Sequence, residues 1–241
     1  MKIINNNNKN AFTLSEILVT LGIVGVIATL TLPNLMSSYT KKQQVAQLQR
    51  TVNAVTSALQ NYMLDNQADT IRDTNLKDDT TRFLKEYLRA THLGGVLEEA
   101  MPGNYRSVSS DIVDNVRLTL DSCIGGHANG KNAYDCGKLT IGSIVCINTH
   151  YPNGGDQSII VDINGNGKPN VFGRDLFVMS LNNKGKIVSW NAGWRDTNMS
   201  GNYKYEYGYE YNSGRYILRS CLDNASYCYG QIVRDGWEMN Y

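Results

Sequence analysis

Residues 12–42 read FTLSEILVTLGIVGVIATLTLPNLMSSYTKK, and this stretch decides the fold. From Ile17 to Thr40 the chain passes 24 residues without a charge. As a helix that run spans about 36 Å, against a hydrocarbon core of roughly 30 Å. Gly22, Gly25 and Pro33 weaken a helix in water but are tolerated in membrane helices. A secretory signal peptide would need a small-x-small cleavage site, and neither Ala28-Thr29-Leu30 nor Leu32-Pro33-Asn34 supplies one. A buried core helix fails on length and on the lack of a polar face. The stretch therefore reads as a membrane segment. Its one acid, Glu16, needs a named partner at the edge of lipid, and its own helix offers no Lys, Arg or His after Phe12 within reach. That partner has to come from another chain or from a cut nearby. Cleavage before Phe12 would create one, a free α-amino group.

Beyond Pro33 the pattern changes. Val45, Leu48, Val52, Val55, Leu59 and Tyr62 recur at three- and four-residue steps, while Lys41, Lys42, Gln43, Gln47, Gln49, Arg50 and Asn53 take the other faces. No breaker lies between Pro33 and Asp65, so the two pieces are expected to form one helix of about 50 residues, about 75 Å long. The apolar stripe could be a coiled-coil seam, but a globular domain follows immediately and is the expected cover. Upstream, Met1 to Ala11 is short, polar and basic. Counting Lys2, Lys9 and the initiating amine against Lys41 and Lys42, charge barely favours the leader inside.

The whole chain has 241 residues and 26.8 kDa, room for a sizeable core. Lys+Arg (23) nearly balance Asp+Glu (22), so charge alone gives no argument for nucleic acid or an anionic surface. Residues 66–241 read as a globular head. A helical piece is expected over Thr80–Ala90. Strands are expected at Ile144–Ile147, Ile159–Ile163, Leu176–Leu181, Lys186–Trp190, Tyr203–Tyr211 and Tyr216–Cys221, with Asn183-Lys184-Gly185 as a hairpin connection. The fold class is α+β, an antiparallel sheet packed on the amphipathic half of the long helix. Tyr203, Tyr205, Tyr207, Tyr209 and Tyr211 alternate with other residues, placing five phenols on one strand face. That face either lies on the helix or a loop, or stands open as an aromatic ladder for adhesion or carbohydrate stacking.

Catalytic signals are weak. Cys123-x3-His127 and Cys146-x3-His150, with Cys136 between, have zinc-ligand types at an uncommon spacing. Gly125 to Lys131 has the spacing of a phosphate loop, but Asn132 stands where a Ser or Thr should hold magnesium. No zinc-protease helix, nucleophile elbow or triad is evident, so no enzyme is expected.

Ala11-Phe12-Thr13-Leu14-Ser15-Glu16, followed by the apolar run and Pro33, resembles the prepilin signature of type IV pilins and type II secretion pseudopilins. The resemblance covers residues 1 to about 65. It implies a leader peptide at 1–11, a transmembrane and assembly half-helix at 12–36, an amphipathic half at 37–65 and an exported pilin-like head at 66–241. A membrane prepilin peptidase would cut between Ala11 and Phe12 and methylate the new amino terminus of Phe12; the family usually has Gly where this chain has Ala11. Glu16 would pair with the amine of a neighbouring pilin or pseudopilin subunit, and Pro33 would kink the helix. The implied partners are the peptidase, other subunits and an inner-membrane assembly platform, with no nucleic acid evident. The implied location is the inner membrane, single-pass, with the head in the periplasm, and then a pilus or pseudopilus. The competing reading is a surface-binding module tethered by an uncleaved helix.

Five cysteines suit an exported domain in an oxidising compartment. Many pilins close a C-terminal loop with a disulfide, which the resemblance places at Cys221 and Cys228. Among the other three, Cys123–Cys136 is one pairing, closing a glycine-rich loop and leaving Cys146 on a strand. No cofactor is required, but Asp162, Asn164 and Asn166 recur at steps of two, as in a calcium loop, with Asp175 as a further acid. The segment resembles a motif of prepilin-like proteins, and some pseudopilin heads bind calcium. Asn-Gly and Pro-Asn also form turns without any metal.

Overall fold

The computed structural model describes residues 13–94, 100–101, 104–108, 117–119, 134–148, 157–182, 184–189, 209–212, 215–218 and 220–241. Helix α1 runs Leu14–Asp65, 52 residues, with Pro33 inside it. The chain divides into two compact units, 1–40 and 41–241.

In the first unit every described side chain is exposed except Ala28, which is half-buried. The hydroxyls in this apolar stretch turn back onto their own helix. Thr20 Oγ1 donates to Ile17 O, Thr29 Oγ1 to Gly25 O, Thr31 Oγ1 to Ile27 O and Thr40 Oγ1 to Met36 O, at 2.7 to 3.0 Å. Such back-bonding gives each threonine a partner without water.

In the second unit all six residues of the predicted stripe are buried, with Leu48, Val55 and Leu59 at 0% exposure. Helix α1 ends in a left-handed cap at Gln67 (φ 51°): Ala68 N–H donates to Met63 O and Gln67 N–H to Leu64 O. The helical piece expected over Thr80–Ala90 is shorter and of another kind. Helix α2 is one turn, Thr80–Arg82, and it widens into a π turn at Phe83–Tyr87. The wider turn brings Phe83 and Tyr87 edge-on to Tyr62 of α1, at 5.5 and 5.1 Å. Arg89 at φ 51° then ends it, and the chain extends.

The strands are β1 Thr91–Gly94, β2 Asn104–Ser107, β3 Arg117–Thr119, β4 Tyr134–Lys138, β5 Ile144–Asn148, β6 Gln157–Asp162, β7 Val171–Phe172, β8 Leu176–Leu181, β9 Ile187–Ser189, β10 Tyr209–Asn212 and β11 Arg215–Leu218. Among the described residues nine form one sheet in the order β1-β4-β5-β6-β8-β7-β2-β3, with β9 also on β8, and β10 and β11 form a separate hairpin. The sheet is mixed, which corrects the antiparallel expectation. Two-residue β7 pairs in parallel with both β2 and β8. The cause is a tight turn after β7: Arg174 and Asp175 N–H both donate to Val171 O, and Gly173 at φ 97° lets the chain resume its heading. All six residues of β8 are buried, so its two faces are both covered. The hairpin expected around Asn183 joins β8 to β9. Asn182 Oδ1 there accepts from the N–H groups of Lys184 and Lys186, and Gly185 sits at φ 72°.

Candidate functional site

Ala11 and Phe12, the expected cleavage and methylation positions, lie outside the described residues. Glu16 occupies the first turn of α1, and its carboxylate is engaged locally. Oε2 accepts the Thr13 N–H and the Thr13 hydroxyl, both at 2.8 Å, while Thr13 Oγ1 accepts the Glu16 N–H at 3.2 Å. This is a reciprocal capping box. Thr-x-x-Glu before an apolar run is the spacing that signals such a box, so Thr13 is a position that the sequence itself marks. From Leu14 to Tyr39 the large apolar side chains stay open, and the best 18-residue window has a mean hydropathy of 2.0. One helix among the described residues is thus long and apolar enough to cross a membrane.

The second cluster lies in the head, at the loop from Asp162 to Asp175. Both acids are fully buried. The Tyr105 hydroxyl donates to Asp162 Oδ2 at 2.5 Å and the Asn164 N–H to Oδ1 at 3.1 Å. Asp175 Oδ1 accepts the Val171 N–H at 2.6 Å, and Oδ2 accepts the Asn164 amide at 3.4 Å. Burial pushes the carboxyl of Asp162 up to about 6 and that of Asp175 to about 7, the latter raised further by Asp162. The structure thus brings Asp162, Asn164 and Asp175 together, whereas Asn166 is exposed. Their side chains offer two engaged carboxylates plus Asn164 Oδ1, which is buried without a hydrogen-bond partner. Among the described residues no group of three or more His, Cys, Asp or Glu gathers as metal ligands do.

The same loop is packed against the end of the chain. Cys221 and Cys228 are joined, and their sulfurs lie over Gly173, where an added Cβ would stand 2.5 Å from Cys228 Sγ. The Tyr241 hydroxyl donates to Gly173 O at 2.6 Å. Lys41 Nζ donates to Tyr241 O, and the Gln47 amide to Ile163 O. The loop is a junction of α1, the sheet and the C-terminal segment, in which helix α3 (Cys228–Arg234) packs on β8 and β9.

The second disulfide joins Cys136 to Cys146, which corrects the Cys123–Cys136 expectation. The two residues face each other across β4 and β5, where antiparallel register sets them directly opposite, with Cα atoms 4.1 Å apart. Oxidation of both also removes the zinc arrangement, which needs them as thiolates. Cys123, His127, His150, the Gly125–Lys131 segment and Tyr203, Tyr205 and Tyr207 lie outside the described residues; Tyr209 and Tyr211 fall on β10. The remaining histidine, His92, meets Asp135 Oδ1 through Nε2, and Thr81 donates to Asp135 Oδ2. The pair ties β1 and α2 to β4 and was not foreseen, because 43 residues separate its members. No family model, curated protein or solved structure matches the chain.

Proposed function

We propose that this chain is a subunit of a type IV pilus or type II secretion pseudopilus, cleaved before Phe12 and assembled by bundling the first half of α1. The observation that carries the reading is the division of one continuous helix into two chemistries. Residues 17–40 are uncharged and, Ala28 aside, exposed, with their threonines satisfied within the helix. Residues 45–62 supply the apolar stripe of the head's core. A helix of the first kind needs lipid or other helices around it, and Glu16 at its start needs a cationic partner there. Two disulfides suit a head on the oxidising side. The mechanism is structural: helices pack, Glu16 takes a neighbour's amine, and the head covers the outside. Substitution tests it. Glu16→Ala should leave expression and membrane insertion intact while filaments become rare or vanish. Normal filament yield from that variant would refute the pairing.

A further inference from the structure

The loop after β6 carries two Asn-Gly steps in succession, Asn164-Gly165 and Asn166-Gly167. Two more, Asn129-Gly130 and Asn153-Gly154, lie outside the described residues. Asparagine before glycine is the pair most open to an intramolecular reaction. No side chain on the glycine keeps its main-chain nitrogen away from the asparagine's amide carbon. The structure separates the two steps in the loop. At the first, both reacting groups are held. The Asn164 amide donates to Asp175 Oδ2 and to Pro169 O, each at 3.4 Å, and the Asn164 N–H donates to Asp162 Oδ1 at 3.1 Å. Gly165, whose nitrogen would attack, is buried at φ 60° and donates its N–H to the Asp162 carboxylate. Gly142 O is so close that a Cβ on Gly165 would stand 2.9 Å from it. Attack there would withdraw a donor from a buried acid, which is costly. At the second step Asn166 and Gly167 are both exposed. Among the described residues nothing bonds to the Asn166 side chain. The Gly167 N–H makes one turn bond, to Asn164 O at 3.1 Å. Opening a single turn bond at an exposed position costs little, since water replaces it.

We propose that Asn166 is a spontaneous modification site, converted to aspartate and isoaspartate while Asn164 in the same loop stays intact. The Gly167 nitrogen attacks Asn166 Cγ and gives its proton to water. The Cγ–Nδ2 bond breaks, Nδ2 takes up a proton and leaves as ammonia, and a five-membered succinimide remains. One water then opens the ring. Cleavage of the new bond to Cγ gives aspartate, and cleavage of the original peptide bond gives isoaspartate. Water is the only co-reactant, and nothing is oxidised or reduced. Either product puts a further carboxylate on the turn, and isoaspartate also lengthens the main chain by one methylene between β6 and β7. The change falls in the loop where α1, the sheet and the C-terminal segment meet. It needs no partner chain, so it stands apart from the assembly reading.

The full chain in detergent is held at pH 8, digested at low pH and mapped by mass spectrometry, with fragment ions placing each amide lost. Asn166 should convert at least about tenfold faster than Asn164, and its product should elute as two species of equal mass. In a synthetic peptide of residues 160–172, where the loop contacts are absent, the two asparagines should convert within about twofold of each other. Gly167→Ala crowds the attacking nitrogen and should slow Asn166 about tenfold, with the melting temperature showing that the head still folds. Equal conversion of Asn164 and Asn166 in the folded chain would overturn the proposal. So would an Asn166 that keeps its amide in the folded chain. Unchanged conversion in Gly167→Ala would overturn it as well, because the Gly167 nitrogen would not be the attacking group.

Discussion

At Gly173 an added methyl group would sit 2.5 Å from Cys228 Sγ and 2.8 Å from Val108 Cγ2, on a backbone already at φ 97°. Neither neighbour can yield cheaply, since one is a disulfide sulfur and the other a buried valine. Gly173→Ala should therefore cost about 2–4 kcal/mol of stability by urea unfolding; a change under about 0.5 kcal/mol, the level of an ordinary surface substitution, would show the contact to be slack. Asp162 and Asp175 set the pH response of the same loop. Their folded-state carboxyls lie at about 6 and about 7, above the ordinary 3.8. The folded chain thus binds protons more tightly than the unfolded one, so stability should fall as pH rises from about 4 to about 7 and level off above. Asp175→Asn removes the second charge, and its new amide can donate to Asn164 Oδ1, the buried oxygen without a partner, once the Asn164 amide turns over. With chelator present, that variant should melt roughly 5 °C above the wild type at pH 8 and show a shallower pH slope. An unchanged slope would mean that these acids are not what titrates.

Helix α1 sets the element scale. Leu48 is buried at 0% exposure, whereas Leu21 is 63% exposed. In detergent-solubilised full chain, Leu48→Ala should cost about 2–5 kcal/mol and Leu21→Ala nearly nothing; equal losses would contradict the division of the helix. That division was legible in the sequence because each half carries one pattern over several turns: a charge-free, mainly apolar run to Thr40, then three- and four-residue steps from Val45 to Tyr62. Strands β5, β6, β8 and β9 were legible for a related reason, as short apolar runs separated by stretches containing Gly and Asn. Strand β4 was not, because Tyr-Asp-Cys-Gly-Lys neither alternates nor favours a strand, and it forms by pairing between β1 and β5. The two residues of β7 carry no period at all, so the mixed topology was hidden. The Cys136–Cys146 bond was hidden for the same reason, since only the register of β4 on β5 brings the two together. Non-reducing mass mapping should find Cys136 linked to Cys146 and Cys221 linked to Cys228; a Cys123–Cys136 fragment would contradict the register.

In the whole molecule one continuous helix runs from an uncharged, exposed half into a disulfide-bearing α+β head. In the proposed assembly the first part would provide contact with other copies and the second a covering surface, with Glu16 as the polar link that would make the contact directional. Everything in that chain of events depends on release of an amino group beside the membrane, which a chain retaining Met1 to Ala11 cannot provide in the same place. The mass of the N-terminal peptide of the protein extracted from the membrane fraction is therefore the most direct measurement. The account predicts a peptide beginning at Phe12 and heavier by one methyl group; an intact peptide beginning at Met1, with no species starting at Phe12, would contradict it.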